Sequence, residues 1–140
     1  VNKNLNFSRK LLRWNSIIKE AVEQSERLWK PSILVGMDII EWIKSRDNQE
    51  RISISITRED TSYDLNRWLR EQQEFVNKKG EIFWNVIGPE GGWSSREIDF
   101  FKKNNNTFVK LSETILRTST ACINASSILN QWRNDLELRN

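Results

Sequence analysis

Residues 8–29, SRKLLRWNSIIKEAVEQSERLW, place Leu11, Trp14, Ile18, Val22, Ser25 and Trp29 at intervals of three and four. That spacing puts them on one face of a helix, with Ser8 as its N-cap and Pro31 as its stop. SILVGM (32–37) is a short apolar run and a strand candidate. DIIEWIKSR (38–46) reads as a short helix opened by Asp38. RISISIT (51–57) alternates with period two and is β-branched, the signature of a strand. SYDLNRWLREQQEFVNKK (62–79) gathers Leu65, Trp68, Leu69 and Phe75/Val76 on one side and is helical in part. EIFWNVI (81–87) is a strand. SSREIDFFKKNN (94–105) opens on Ser94 or Ser95 with Glu97 following, a capping-box start. TFVKL (107–111) is a further short strand. TSTACINASSILNQWRNDLEL (118–138) is a long helix with Ala121, Ala125, Ile128, Leu129, Trp132 and Leu136 on one face.

Strands alternating with helices predict an α/β fold with a mainly parallel sheet. Ligands of such sheets bind beyond the carboxyl ends of the strands. The loops after Ile56, Ile87 and Leu111 are therefore the candidate site.

The second of these loops, IGPEGGWS, holds three of the chain's five glycines. Gly88, Gly91 and Gly92 let the backbone take unusual dihedrals and approach a ligand closely. Pro89 stiffens the loop and removes one donor. The pattern is neither G-x-G-x-x-G nor a Walker loop, and Glu90 repels phosphate. A ligand with hydroxyls, an amine or a positive centre suits it better; the alternative is a plain strand-to-helix turn. The third loop, LSETILRTSTA, brings small hydroxylated residues to a helix start whose unpaired backbone donors can serve a ligand, with Arg117 just before it.

Composition narrows the chemistry. The 140 residues contain no histidine and one cysteine, Cys122. Histidine bases, histidine metal sites, cysteine clusters and internal disulfides are excluded. With no signal sequence and no apolar membrane span, the expected setting is the cytoplasm. The net charge of +3 is uneven. Residues 1–30 hold seven Lys/Arg and three Glu, a balance of +4, which leaves −1 for the rest. A basic first third suits a phosphate-facing surface or a solvated helix face.

Three blocks in order, AVEQSERLWKP, IGPEGGWSSREI and LSETILRTSTA, resemble the methyltransferase domain of the RsmE family over about residues 8–136. The resemblance implies a SPOUT-type α/β domain with a C-terminal trefoil knot, residues 1–7 being a linker remnant and 8–140 the domain. It implies S-adenosylmethionine as cofactor and transfer of its methyl group to N3 of a uridine in small-subunit ribosomal RNA. A homodimer without metal is also implied. The cofactor would be lined by Ile87, Gly88, Glu90, Gly91 and Gly92, by Leu111, Ser112, Ile115, Leu116, Thr118, Thr120 and Ala121, and by the loop near Thr57. Arg117 would stabilise the uracil anion. Glu90 is a possible proton acceptor, with a cofactor-binding or loop-ordering role preferred. Lys10, Arg13 and Arg27 are candidates for RNA phosphate contacts, Arg27 matching the arginine of the family's first block.

The sequence departs from the family pattern at three places. Ser119 stands where the family has glutamate, Glu26 where it has the glycine before the arginine, and Ser112 where it has the glycine after Leu111. The family's small N-terminal β-barrel RNA-binding domain is not within these residues. Two other readings stay open: a non-catalytic adenosylmethionine- or RNA-binding protein on the same fold, and a plain nucleotide-binding module. Among seven tryptophans, Trp14, Trp29 and Trp132 fall on apolar helical faces, as core or dimer contacts do. Trp93, beside the glycine loop, is the best candidate for stacking on an RNA base.

Overall fold

A computed structural model describes residues 3–34, 36–47, 50–57, 63–73 and 82–137. The chain divides into two compact units, Val1–Met37 and Asp38–Asn140.

The first unit is built on helix α1, Lys3–Gln24. It starts earlier than Ser8, which lies inside it, and so takes in most of the stretch read as linker. It also ends earlier than Pro31. The reason is local. Glu26 adopts φ 51°, the left-handed conformation. The Glu26 amide then donates to the Glu23 carbonyl at 3.3 Å and the Arg27 amide to the Val22 carbonyl at 3.1 Å. This pair of bonds is a Schellman closure, a terminus that usually relies on glycine. Glu26 occupies the position where the RsmE pattern has glycine, so the chain carries left-handed strain there. Glu26→Gly is expected to stabilise this helix end by about 1 kcal/mol, the left-handed penalty less the chain entropy that glycine adds to the unfolded state. Hydrogen exchange at the Arg27 amide should slow roughly fivefold; an unchanged rate would show that the strain is absorbed elsewhere.

Beyond Glu26 the described residues up to Met37 form neither helix nor strand. The described residues of SILVGM, all but Val35, are therefore not in a strand, contrary to the expectation from the apolar run. A strand needs a neighbour to take its backbone hydrogen bonds, and no described strand pairs with it. Leu34 and Met37 are exposed. Trp29, expected on the helical stripe, lies past the helix and is exposed.

The second unit is a three-stranded parallel sheet in the order β2-β1-β3. Its strands are β1, Glu50–Ser55; β2, Ile82–Ile87; and β3, Thr107–Val109. Among the described residues, four helices alternate with them: α2, Ile39–Lys44; α3, Leu65–Glu71; α4, Ser95–Lys103; and α5, Thr118–Glu137. The α/β class and parallel sheet expected from the alternation are present. Phe75 and Val76 lie outside the described residues.

Each helix start follows from its cap. The Asp38 carboxylate accepts from the Ile40 and Glu41 amides at the head of α2, and that of Asp64 from the Arg67 amide at the head of α3. At α4, Ser94 Oγ accepts from the Glu97 amide at 3.3 Å while Glu97 Oε2 accepts from the Ser94 amide at 2.7 Å, closing the capping box.

The period of two in β1 divides the core between the faces of the sheet. Ile54 and Ile56 point to the α2/α4 side, where they meet Ile43 and the fully buried Phe101. On the other side Leu65, Trp68, Leu69, Val109 and Ala125 form a second cluster under α3 and α5. Ser53 and Ser55 are buried in the middle strand rather than solvated. Asn85 resolves the polarity: its Nδ2 donates to Ser53 Oγ at 2.9 Å, and its Oδ1 accepts from Ser55 Oγ at 3.0 Å. Ser53 Oγ donates in turn to the Trp84 carbonyl at 3.1 Å. Buried hydroxyls bonded in this way escape the desolvation penalty of unpaired ones.

At the edge of α3, the Tyr63 hydroxyl donates to Glu71 and Arg67 lies over its ring, 5.1 Å from the centroid. Burial pushes the Tyr63 hydroxyl from 10.0 up to about 12, with the bond to Glu71 acting in the same sense. That bond also holds the Glu71 carboxyl below its usual value.

Candidate functional site

The carboxyl ends of all three strands open onto one cavity of about 600 Å³, within the range of small-molecule sites. Its walls are the three loops singled out by the strand ends. Ser55, Ile56 and Thr57 come from the end of β1; Ile87 to Trp93 come from the glycine loop; Lys110 to Thr118, with Ala121, come from the link between β3 and α5.

The glycine loop is shaped by its own residues. The Gly92 amide donates to the Pro89 carbonyl at 2.9 Å, closing a turn over Glu90 and Gly91. Gly92 has φ +76°, a conformation that a side chain would strain. At Gly88 a Cβ would lie 3.0 Å from the Trp93 ring, so the ring can fold back over the loop only because nothing projects there. The Trp93 indole N–H donates to the Ser55 carbonyl at 2.9 Å, and its ring meets Phe101 edge-on with centroids 5.2 Å apart. Trp93 thus binds the glycine loop to the end of β1. This half-buried indole acts as a structural strut while it also lines the cavity.

The third loop is fixed by α5. Asn124 Nδ2 donates to the Leu111 carbonyl at 3.0 Å, and the Ala121 amide donates to the Arg117 carbonyl at 2.8 Å. Thr118 Oγ1 reaches the Gly88 carbonyl at 3.5 Å and so joins the second and third loops. Lys110 Nζ pairs with Glu113 at 2.8 Å within the same wall.

The residues picked out by sequence largely converge here. Thr57, Ile87, Gly88, Glu90, Gly91, Gly92, Leu111, Ser112, Ile115, Leu116, Arg117, Thr118 and Ala121 all line the cavity. Thr120 does not. Thr118 and Ala121, three apart, share the helix face toward the cavity, and Thr120 is turned about 100° from Ala121. Ser119, where the family pattern has glutamate, is exposed on the first turn of α5 and is likewise outside the lining. Lys10, Arg13 and Arg27 belong to the first unit, where all three are exposed. Sequence reading did not single out Lys110, Glu113 and Ile98, which line the cavity; Glu113 lies within the LSETILRTSTA block, the other two outside any loop motif. Lys110 was recoverable: it ends a strand beside the chosen loop.

The cavity can hold a zwitterionic ligand. It combines two acids, Glu90 and Glu113, with two bases, Lys110 and Arg117, around an apolar floor of Ile56, Ile87 and Leu111. At Gly91 a Cβ would meet no protein atom within 4 Å, so this stretch of backbone faces open space where a ligand can approach. The donor set of S-adenosylmethionine, with ammonium, sulfonium, carboxylate and an apolar-faced adenine, fits this mixture. Among the described residues there is no cluster of potential metal ligands and no helix long and apolar enough to cross a membrane.

Residues 1–130 match the family model of the RNA methyltransferase domain. A curated relative from Synechocystis sp., ribosomal RNA small subunit methyltransferase E, is 31% identical over 112 residues, 80% of this chain and 35% of the relative. A crystal structure of ribosomal RNA small subunit methyltransferase E from Neisseria gonorrhoeae, bound to S-adenosyl methionine, superposes with a TM-score of 0.60 at 26% identity, covering 88% of this chain and 47% of that one. A Legionella pneumophila methyltransferase structure with bound cofactor shares the fold, with a TM-score of 0.68 at 23% identity over 92% of this chain and 49% of that one. The chain therefore spans half or less of the length of each of these proteins.

Proposed function

Since the chain belongs to the RNA methyltransferase domain family, we propose that it is an S-adenosylmethionine-dependent methyltransferase acting on N3 of a uridine in small-subunit ribosomal RNA. The observation that carries this reading is convergence. Three loops separated in sequence, two of them marked by their own motifs, wall a single cavity at the carboxyl edge of the sheet.

The bound cofactor supplies a methyl group already activated on a sulfonium. What remains for the protein is orientation and charge. Ile56, Ile87 and Leu111 give the adenosyl group an apolar bed, while Gly91 and Gly92 let backbone come close. Glu90 sits in the glycine loop turn, where its carboxylate favours a cationic centre. The target uridine is splayed from its stack to reach the cavity. Loss of the N3 proton to solvent would leave a uracil anion, whose charge on the ring oxygens Arg117 would stabilise until N3 takes the methyl group as the carbon–sulfur bond breaks. No histidine is needed. Lys10, Arg13 and Arg27 would take RNA phosphates.

The same reading includes the finer architecture of the family. Residues 8–140 would form the SPOUT domain, with the segment around α5 threaded into the trefoil knot. Two copies would pair into a homodimer working in the cytoplasm. The non-catalytic alternative rested on Ser119. Its position outside the cavity lining favours the catalytic reading, because the substitution leaves the wall intact.

Calorimetry with S-adenosylmethionine, its demethylated product and ATP tests the cofactor, and methyl transfer to undermodified small subunits tests the reaction. Adenosylmethionine should bind wild type and Arg117→Ala alike, while methyl transfer falls about 10²-fold or more in the variant. Preference for ATP, or no binding of adenosylmethionine, would overturn the reading.

A further inference from the structure

Trp29 is 81% exposed and its neighbour Leu28 89% exposed. A tryptophan ring is one of the largest apolar surfaces a side chain offers, and it is seldom left in water without a partner. The early closure of α1 at Glu26 removes Trp29 from the helical stripe and sets it in a segment without helix or strand. Arg27 and Lys30 stand on either side, both exposed. Pro31 follows and restricts the backbone of Lys30. The result is an open aromatic ring with one cation two residues before it and another directly after it in sequence, in a stretch of thirty residues that carries a balance of +4.

Charge decides between the partners such a ring could take. The centre of a protein–protein contact is depleted in charged residues, lysine especially. A ring with a cation on each flank instead matches a polymer that alternates flat apolar faces with negative charges. Single-stranded nucleic acid is that polymer: its bases stack on aromatic rings and its phosphates meet Lys and Arg. A duplex hides its base faces in the stack and offers a ring nothing to stack on but its ends.

We propose that Trp29 is a stacking platform for an unpaired base of the RNA substrate, with Arg27 and Lys30 on the adjoining phosphates. The proposal rests on the reading of the chain as an RNA methyltransferase and names a contact beyond the cavity. Stacking of this kind tolerates any base. Trp29 therefore anchors the strand rather than selecting the target.

The test uses the whole chain, titrated by fluorescence anisotropy against a labelled oligouridylate and an RNA duplex of equal length. Trp29→Ala, Trp29→Phe and Lys30→Ala are compared with wild type. Binding of the demethylated cofactor by calorimetry checks the cavity, and sedimentation velocity checks assembly. Wild type should favour the single strand. Trp29→Ala should bind it about tenfold more weakly, with Trp29→Phe within about threefold of wild type, and both should bind the demethylated cofactor normally. Lys30→Ala should lower the salt slope by about 0.7. Equal affinity of Trp29→Ala and wild type for the single strand would overturn the proposal. So would a wild type that binds neither RNA or both equally, or a Trp29→Ala variant whose assembly changes while its RNA affinity does not, since the ring would then cover a second copy. Loss of cofactor binding in wild type, with the RNA results as expected, would instead sink the methyltransferase reading and leave the platform standing.

Discussion

Alanine at Gly88 is expected to destabilise the fold by about 1–3 kcal/mol, whereas alanine at Gly91 should fold like wild type and bind adenosylmethionine at least tenfold more weakly, a loss of about 1.4 kcal/mol. The two sites lie in one loop and differ in what a methyl group would meet. At Gly88 it would stand 3.0 Å from Trp93 Cε2 and 3.2 Å from Nε1. That ring cannot swing aside, because its N–H is bonded to the Ser55 carbonyl at 2.9 Å and its edge packs on Phe101. At Gly91 no protein atom lies within 4 Å of the added carbon. A penalty there must come from the ligand. Urea denaturation separates the first effect and calorimetry the second. Wild-type affinity in Gly91→Ala would move the ligand to another part of the cavity.

Phe101→Ala should be the most damaging single truncation, costing about 3–5 kcal/mol. The ring is 0% exposed and packs against Trp93, Phe100 and Phe108 with centroids 5.2–6.3 Å apart. Removing it leaves a cavity bounded by rigid rings, which collapse poorly into the gap. It also frees Trp93, and with it the joint between the glycine loop and β1. The urea midpoint should drop with an unchanged slope, and cofactor binding should weaken in the surviving folded protein. A loss below about 1 kcal/mol would mean that the aromatic cluster repacks around the void.

The parts of this fold that could be read from sequence are those fixed by neighbours in the chain. The α4 boundary rests on Ser94 and Glu97, three residues apart, and the box they form is in place. The strands RISISIT and EIFWNVI were legible from β-branched and apolar content, and the loops between strand and helix from glycine and proline. The misreadings depend on distant or finer events. The apolar stripe of α1 extrapolates to Trp29, but three backbone bonds around Glu26 close the helix first. SILVGM has strand composition, but no described strand pairs with its described residues. A further feature that the sequence does not show is the burial of Ser53 and Ser55, the polar positions of RISISIT. They are buried because helices cover both faces, and tolerable because Asn85, thirty-odd positions later, bonds to both. Thr120 was included with its hydroxylated neighbours because a motif names consecutive residues, while a helix offers a wall only every third or fourth.

One feature of the sheet bears on how this site can vary. The end of β3 and the residue after it hold the chain on both sides of residues 58–62: the Ile56 amide donates to the Val109 carbonyl at 3.0 Å, and the Lys110 amide donates to the Tyr63 carbonyl, also at 3.0 Å. Thr57 and Lys110, which both line the cavity, therefore follow the same strand end. A change that shifts the end of β3 moves them together, and two rims of the cavity vary as one.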